Sequence, residues 1–169
     1  MLTMSPPARA TSARSERLSR ARCVAEVTDA LLEQTTAVVE GHAALVALRP
    51  VGGGQSGPLP WHSALRGPDG VPPAFPPLPA DAAVRLSISG VVGAEACVAG
   101  DPLLALAPVF EGTGAARFAF VGLGRFGTLF LAERRPDREF DPDDWHLLGV
   151  VARQAEAALE RIAVADGTA

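Results

Sequence analysis

The chain has 169 residues, the length of one domain, and the ordered part can bury about 70% of its unfolded surface. Its net charge of −4 speaks against a nucleic-acid-binding surface, and no apolar run approaches a membrane span. All 15 basic residues are Arg, and Lys, Tyr and Asn are absent; this suggests a high-GC genome and removes a P-loop lysine, a Schiff-base amine and Tyr acid–base chemistry.

Residues 1–15 are rich in Pro, Ser and Arg and lack an apolar signal core, so they read as a disordered arm of a cytoplasmic protein. A helix is expected from Glu16 to about Val39. One of its lines is Leu18, Ala21, Ala25 and Leu32, a second is Val24, Val27 and Leu31, and Gly41 is the breaker. Ala43–Leu48 is a short buried strand closed by Pro50. A Gly-rich turn region follows, and Trp61–Gly67 reads as a second strand. The run from Pro68 to Ala80 is a long Pro-rich loop with no core of its own. Asp81–Arg85 suits a short helix. Beyond it the chain reads as a Gly turn, a short helix of small residues stopped at Gly100, and a strand from about Leu103 to Ala107. Arg117–Val121 and Thr128–Ala132 are the last two strands. Asp141 is an N-cap for a closing helix with Pro142 in its first position and Asp143 and Asp144 at its positive end. The ordered domain thus spans residues 16–164, with 165–169 a tail.

Between the last two strands lies Gly122-Leu-Gly124-Arg-Phe-Gly127, the spacing of a dinucleotide-binding turn. That turn must open a helix whose N-terminus holds the pyrophosphate. Here the following residues are β-formers, too few for a helix and stopped by Pro136. A β-hairpin is expected instead, with no binding of NAD, FAD or ATP. Cys23 and Cys97 form no metal-type pair, and His42, His62 and His146 share no ligand spacing, so neither a metal site nor a catalytic group is expected.

The order helix, two strands, short helices, three strands, long helix describes an α+β domain. Its mostly antiparallel sheet has the two terminal helices on one face and short helices with loops on the other. In this order the segments resemble a GAF domain. "SGVVGAEACVAGDPLLAL" is similar to the family's Gly-bounded helix, with Gly90, Gly93, Gly100 and Pro102 in place. "ARFAFVGLGRFGTLFLAERRPDREFDPDDW" resembles its last hairpin, turning at Gly124-Arg125, with Gly127 opening the final strand and then Arg138, Phe140 and Asp144. "LLGVVARQAEAALERI" resembles its closing helix. The flavour is that of actinobacterial GAF modules in histidine kinases and stage-II-sporulation-type phosphatases.

The resemblance implies a non-enzymatic bacterial signalling module. It either binds a small molecule and acts through a partner or a dimer, or binds nothing and serves as a dimerising scaffold. The family's cyclic-nucleotide signature needs Asn and Lys, which the chain lacks. Cys97 is the one candidate for bilin attachment, without the surrounding motif. His62 is the candidate for haem. Free-methionine sulfoxide reductase shares the fold but works with two pocket cysteines. Cys97 sits later in the Gly-bounded helix than that enzyme's cysteine, and Cys23 lies on the N-terminal helix. The expected ligand site is the sheet face away from the long helices, beneath the Pro-rich loop. Its candidate lining is Trp61, His62, Arg85, Cys97, Phe118, Phe120 and Phe130; the alternative is that the aromatics are plain core. On the closing helix, Trp145, Leu148, Ala152, Ala155, Leu159 and Ile162 form the line expected against the sheet. Leu147, Val151 and Ala158 form a second line, which is expected either in a homodimer seam or against the same domain.

Overall fold

In the computed structural model, residues 16–38, 43–50, 54–64 and 73–167 are described. The arm at residues 1–15, the helix stop at Gly41, and the outer part of the expected strand to Gly67 lie outside them. In chain order the elements are α1 (Val24–Val38), β1 (Ala43–Leu48), β2 (Trp61–Ser63), α2 (Ala80–Arg85), β3 (Ser89–Gly93), α3 (Ala107–Thr113), β4 (Arg117–Gly122), β5 (Gly127–Glu133) and α4 (Pro142–Ala165). Short 3₁₀ turns occupy Ala94–Ala96, Pro102–Leu106 and Gly124–Phe126. Residues 16–20 are also helical. The chain breaks at Ala21–Cys23 before α1, so the single helix expected from Glu16 is two pieces. At the break the Glu26 carboxylate accepts the Arg22 backbone N–H at 2.6 Å, which starts α1 afresh.

The five strands form one antiparallel sheet in the order β2-β1-β5-β4-β3. β5 is central and is buried along its whole length, as its apolar run GTLFLAE requires. The G-x-G-x-x-G is the β4–β5 hairpin, and two of its glycines have a steric reason to be there. A Cβ on Gly122 would strike the Ser87 carbonyl, and one on Gly127, at φ +153°, would strike the Ala47 carbonyl of β1.

One strand is not where the sequence suggests. Leu103–Ala107 is not extended. Asp101 caps a helical turn there, its carboxylate accepting the Leu103 N–H at 2.8 Å, with Pro102 in the first turn. The turn runs on into α3, where Pro108 is again in the first turn. Leu103, Leu106, Val109 and Phe110 then point together into the core. The fifth strand is instead Ser89–Gly93, at the sheet edge, where Gly90 leaves room for the Phe120 ring.

Each sheet face carries its own apolar cluster. On one face α1 and α4 pack together and over Val46, Leu48, Ala119, Leu129 and Leu131. On the other lie Leu45, Phe118, Phe120, Phe130 and Ala132, covered by α2, α3 and the segment around Leu78. α4 starts with a full capping box, Asp141 and Asp144 exchanging backbone-to-carboxylate bonds at 2.8 and 3.2 Å. Among the described residues no helix is long and apolar enough to cross a membrane.

Candidate functional site

Strand alternation decides which side chains meet on the face away from α1 and α4. Phe118 and Phe120 alternate on β4, and Phe130 lies directly opposite Phe120 on β5. All three point away from the terminal helices, on the expected face. Trp61 joins from β2, with its ring centroid 5.1 Å from that of Phe130. Phe118 and Phe120 lie 5.9 and 6.3 Å from Phe130, and Phe110 of α3 lies 4.7 Å from Phe118. These are offset and edge-on geometries, in which ring quadrupoles attract. Phe118 and Phe130 are 0% exposed, whereas Trp61 and Phe75 are half-buried at the margin.

The described end of the Pro-rich run closes over this cluster. Leu78 and Leu59 form a two-way backbone bridge, each N–H donating at 2.8 Å, and both side chains are buried. Phe75 places its ring on the bare backbone of Gly112 and stands edge-on to Trp61 at 6.4 Å. A run expected to have no core therefore contributes Leu78 and Phe75 to one. Phe75 and Phe110 were missed in the sequence. Phe110 became legible only with the helical phase that starts at Asp101. Phe75 stands among prolines, whose extended geometry erases any period.

Trp61 has a further property. Its Nε1 is buried and has no hydrogen-bond partner among the described residues. An indole nitrogen can only donate, so this is an orphaned donor in an apolar surround.

The remaining expected lining residues separate. His62 does not join Trp61. Adjacent strand residues point to opposite faces, and His62 pairs with Val46 on the helix side. Partial burial pushes its pKa down, and the Asp29 carboxylate of α1 pushes it back up. Arg85 is exposed and engaged, its guanidinium meeting Asp101 at 2.5 Å. That bond, followed by the Leu103 N–H, holds the Asp101 carboxyl below its ordinary range. Cys97 is half-buried against the aromatic cluster. Burial raises its thiol pKa, and Asp101 and Glu95 raise it further, opposite to the shift an activated thiolate needs. Cys23 is exposed at the start of α1, on the helix side. Among the described residues no group of three or more His, Cys, Asp or Glu is placed to hold a metal ion.

The second apolar line of α4 lies partly within the helix-side core. Val151 and Ala158 are 3% and 1% exposed within the single chain, in the helix-side core. Their line faces α1 and the break before it: Gln154 accepts from Gln34 Nε2 at 3.2 Å, and Arg161 donates to the Ala21 carbonyl at 3.1 Å. Helix α1 of the same chain packs against Val151 and Ala158. Leu147 alone of the three is exposed, at 37%.

No protein-family model matches the sequence, and no curated protein sequence matches it. Solved structures do match. A domain of a protein described as a two-component sensor histidine kinase from Sinorhizobium meliloti 1021 aligns over 88% of this chain and 100% of its own length, with a TM-score of 0.56 and 15% identity. The phycocyanobilin-bound GAF domain of a cyanobacterial phytochrome aligns over 96% of this chain and 98% of its own, with a TM-score of 0.53 and 14% identity. A phycoerythrobilin-bound GAF domain from a cyanobacterial phytochrome aligns over the same shares, with a TM-score of 0.53 and 11% identity. With the β2-β1-β5-β4-β3 antiparallel sheet and its helices, these matches establish that the chain has a GAF-like fold.

Proposed function

We propose that this protein is a non-enzymatic sensory module that binds a small molecule on the sheet face away from α1 and α4 and signals through a partner protein or a dimer. The observation that carries this reading is the aromatic cluster itself. It is separate from the core that the terminal helices hold together, and short helices and a Pro-rich segment cover it. Its outer rings, Trp61 and Phe75, are only half-buried. Such a face can exchange apolar contacts with a ligand while the helix-side core maintains the fold. The similar folds of a sensor kinase domain and of two phytochrome GAF domains agree with a sensory role. The test is equilibrium dialysis of the purified protein against a bacterial metabolite extract, read by mass spectrometry and thermal melting. Sensing predicts at least one enriched small molecule that raises Tm, because only a ligand of the native state does so.

A second reading is a ligand-free scaffold of a signalling protein. The complete burial of Phe118 and Phe130 supports it, because a collapsed face needs no guest. It predicts no enrichment in the dialysis and a dimer that forms without additives. The exposed Leu147 is the place to test for such a dimer.

A further inference from the structure

The orphaned Trp61 donor says something about the ligand, on the sensory reading above. A buried N–H without a partner is unfavourable, and natural structures rarely keep one without a use. Trp61 stands where a guest could reach it. Its ring is at the half-buried margin, between the wholly buried Phe130 and the half-buried Phe75. Phe75 in turn rides on the segment bridged to the sheet side through Leu59 and Leu78. A ligand entering there meets rings on two sides without taking apart Phe118 and Phe130.

One ion pair near this face is closed on itself, and the Glu95 carboxylate beside Cys97 stays exposed. Arg85 and Asp101 neutralise each other. The Cys97 thiol is held protonated by burial and by the two carboxylates near it. His62 points to the other face. A charged ligand would lose its hydration among these rings, and an anion would also meet the Glu95 carboxylate. A purely aliphatic one would leave the indole unpaired. A flat ligand would match the tilted and edge-on rings.

We propose that Trp61 is the recognition residue of this face, its Nε1–H donating to the acceptor atom of an uncharged, flat, largely apolar ligand packed among Trp61, Phe75 and Phe130. A site built around a donor also discriminates, because an analogue without the acceptor leaves that donor unpaired.

Nile red is a suitable probe: uncharged, flat and apolar, with a carbonyl acceptor. Anilinonaphthalene sulfonate is the charged comparison. The intact chain should bind Nile red saturably at one site, and more tightly than the sulfonate. Trp61→Phe keeps a ring and removes the donor. It should weaken Nile red by about fivefold or more while leaving the far-ultraviolet spectrum unchanged. An independent measurement on the unmutated protein covers the case in which the variant does not fold. The ¹⁵N-indole spectrum has two peaks, from Trp61 and Trp145, and Nile red should move the Trp61 proton downfield. Equal binding by Trp61→Phe, an indole peak that the dye does not move, or tighter binding of the sulfonate would each overturn the proposal while leaving a ligand-binding face. No saturable Nile red binding by the folded protein would overturn it, and a dialysis that also enriches nothing would remove the sensory reading itself.

Discussion

At the scale of single residues, three environments make definite predictions. Gly127 at φ +153° leaves no room for a Cβ beside the Ala47 carbonyl. Gly127→Ala should therefore destabilise the domain by about 2 kcal/mol or more, measured by urea unfolding. His62 is lowered chiefly by burial and raised by Asp29. Removing that carboxylate in Asp29→Asn should lower the His62 pKa further in an NMR titration; a rise would contradict the placement of His62 on the side of the sheet that faces Asp29. Because the folded-state value lies below the unfolded one, protonation favours the unfolded chain. This contribution falls away as pH drops from about 6.5 through the folded value, and is recovered as pH rises. Cys97 is half-buried with a raised thiol pKa, whereas Cys23 is exposed. Iodoacetamide at mildly alkaline pH should modify Cys23 well before Cys97, as peptide mass mapping would show. Much at this scale was readable in advance. The hairpin glycines follow from what comes after them in the chain. The faces of Trp61 and His62 are a matter of strand alternation, which forbids neighbours from sharing a pocket wall.

At the scale of elements, α4 shows how far a pattern reaches. Its start follows from local chemistry: Asp141, Pro142 and Asp144 satisfy the first turn whatever the rest of the chain does. Of its sheet-facing line, Leu148, Ala152, Ala155, Leu159 and Ile162 are buried as the period requires, and Trp145 at its start is partly buried. The second line is apolar for a reason no period reveals, since it needs a neighbour and the neighbour is α1. Val151→Arg should consequently abolish the cooperative thermal transition and not merely release a folded monomer, because it places a charge in the α1–α4 seam. Leu147→Arg, at an exposed position, should fold with stability within about 0.5 kcal/mol of the parent. If the protein dimerises through that end of α4, this variant would run as a monomer in sedimentation. The Leu103–Ala107 segment was read the other way round. Four or five apolar residues serve a strand or a helix equally well, and length alone arbitrates. The Asp101 cap and two first-turn prolines tip it to helix, while the glycine-rich Ser89–Gly93 has too few apolar side chains to announce a strand.

At the scale of the whole molecule, one sheet separates two cores. β1, β4 and β5 are paired on both sides, while β2 and β3 are edges. Hydrogen exchange should therefore be slowest in β5 and its two neighbours and fastest in β2 and β3; faster exchange in β5 than in β3 would contradict the strand order. The sequence by itself determined the α+β class, the closing hairpin with its glycine turn, the capped C-terminal helix and the presence of Phe118, Phe120 and Phe130 on one face. Those features depend on neighbours a few residues away, through caps, sterics and alternation. Only the tertiary structure decided that Ser89–Gly93 completes the sheet, that α1 packs on Val151 and Ala158 of α4, and that Phe75 and Phe110 join Trp61 in one cluster. It also left the Trp61 indole nitrogen buried without a partner among the described residues. These outcomes depend on which distant segment arrives opposite a given side chain, and the burial that selects among them belongs to the assembled layers.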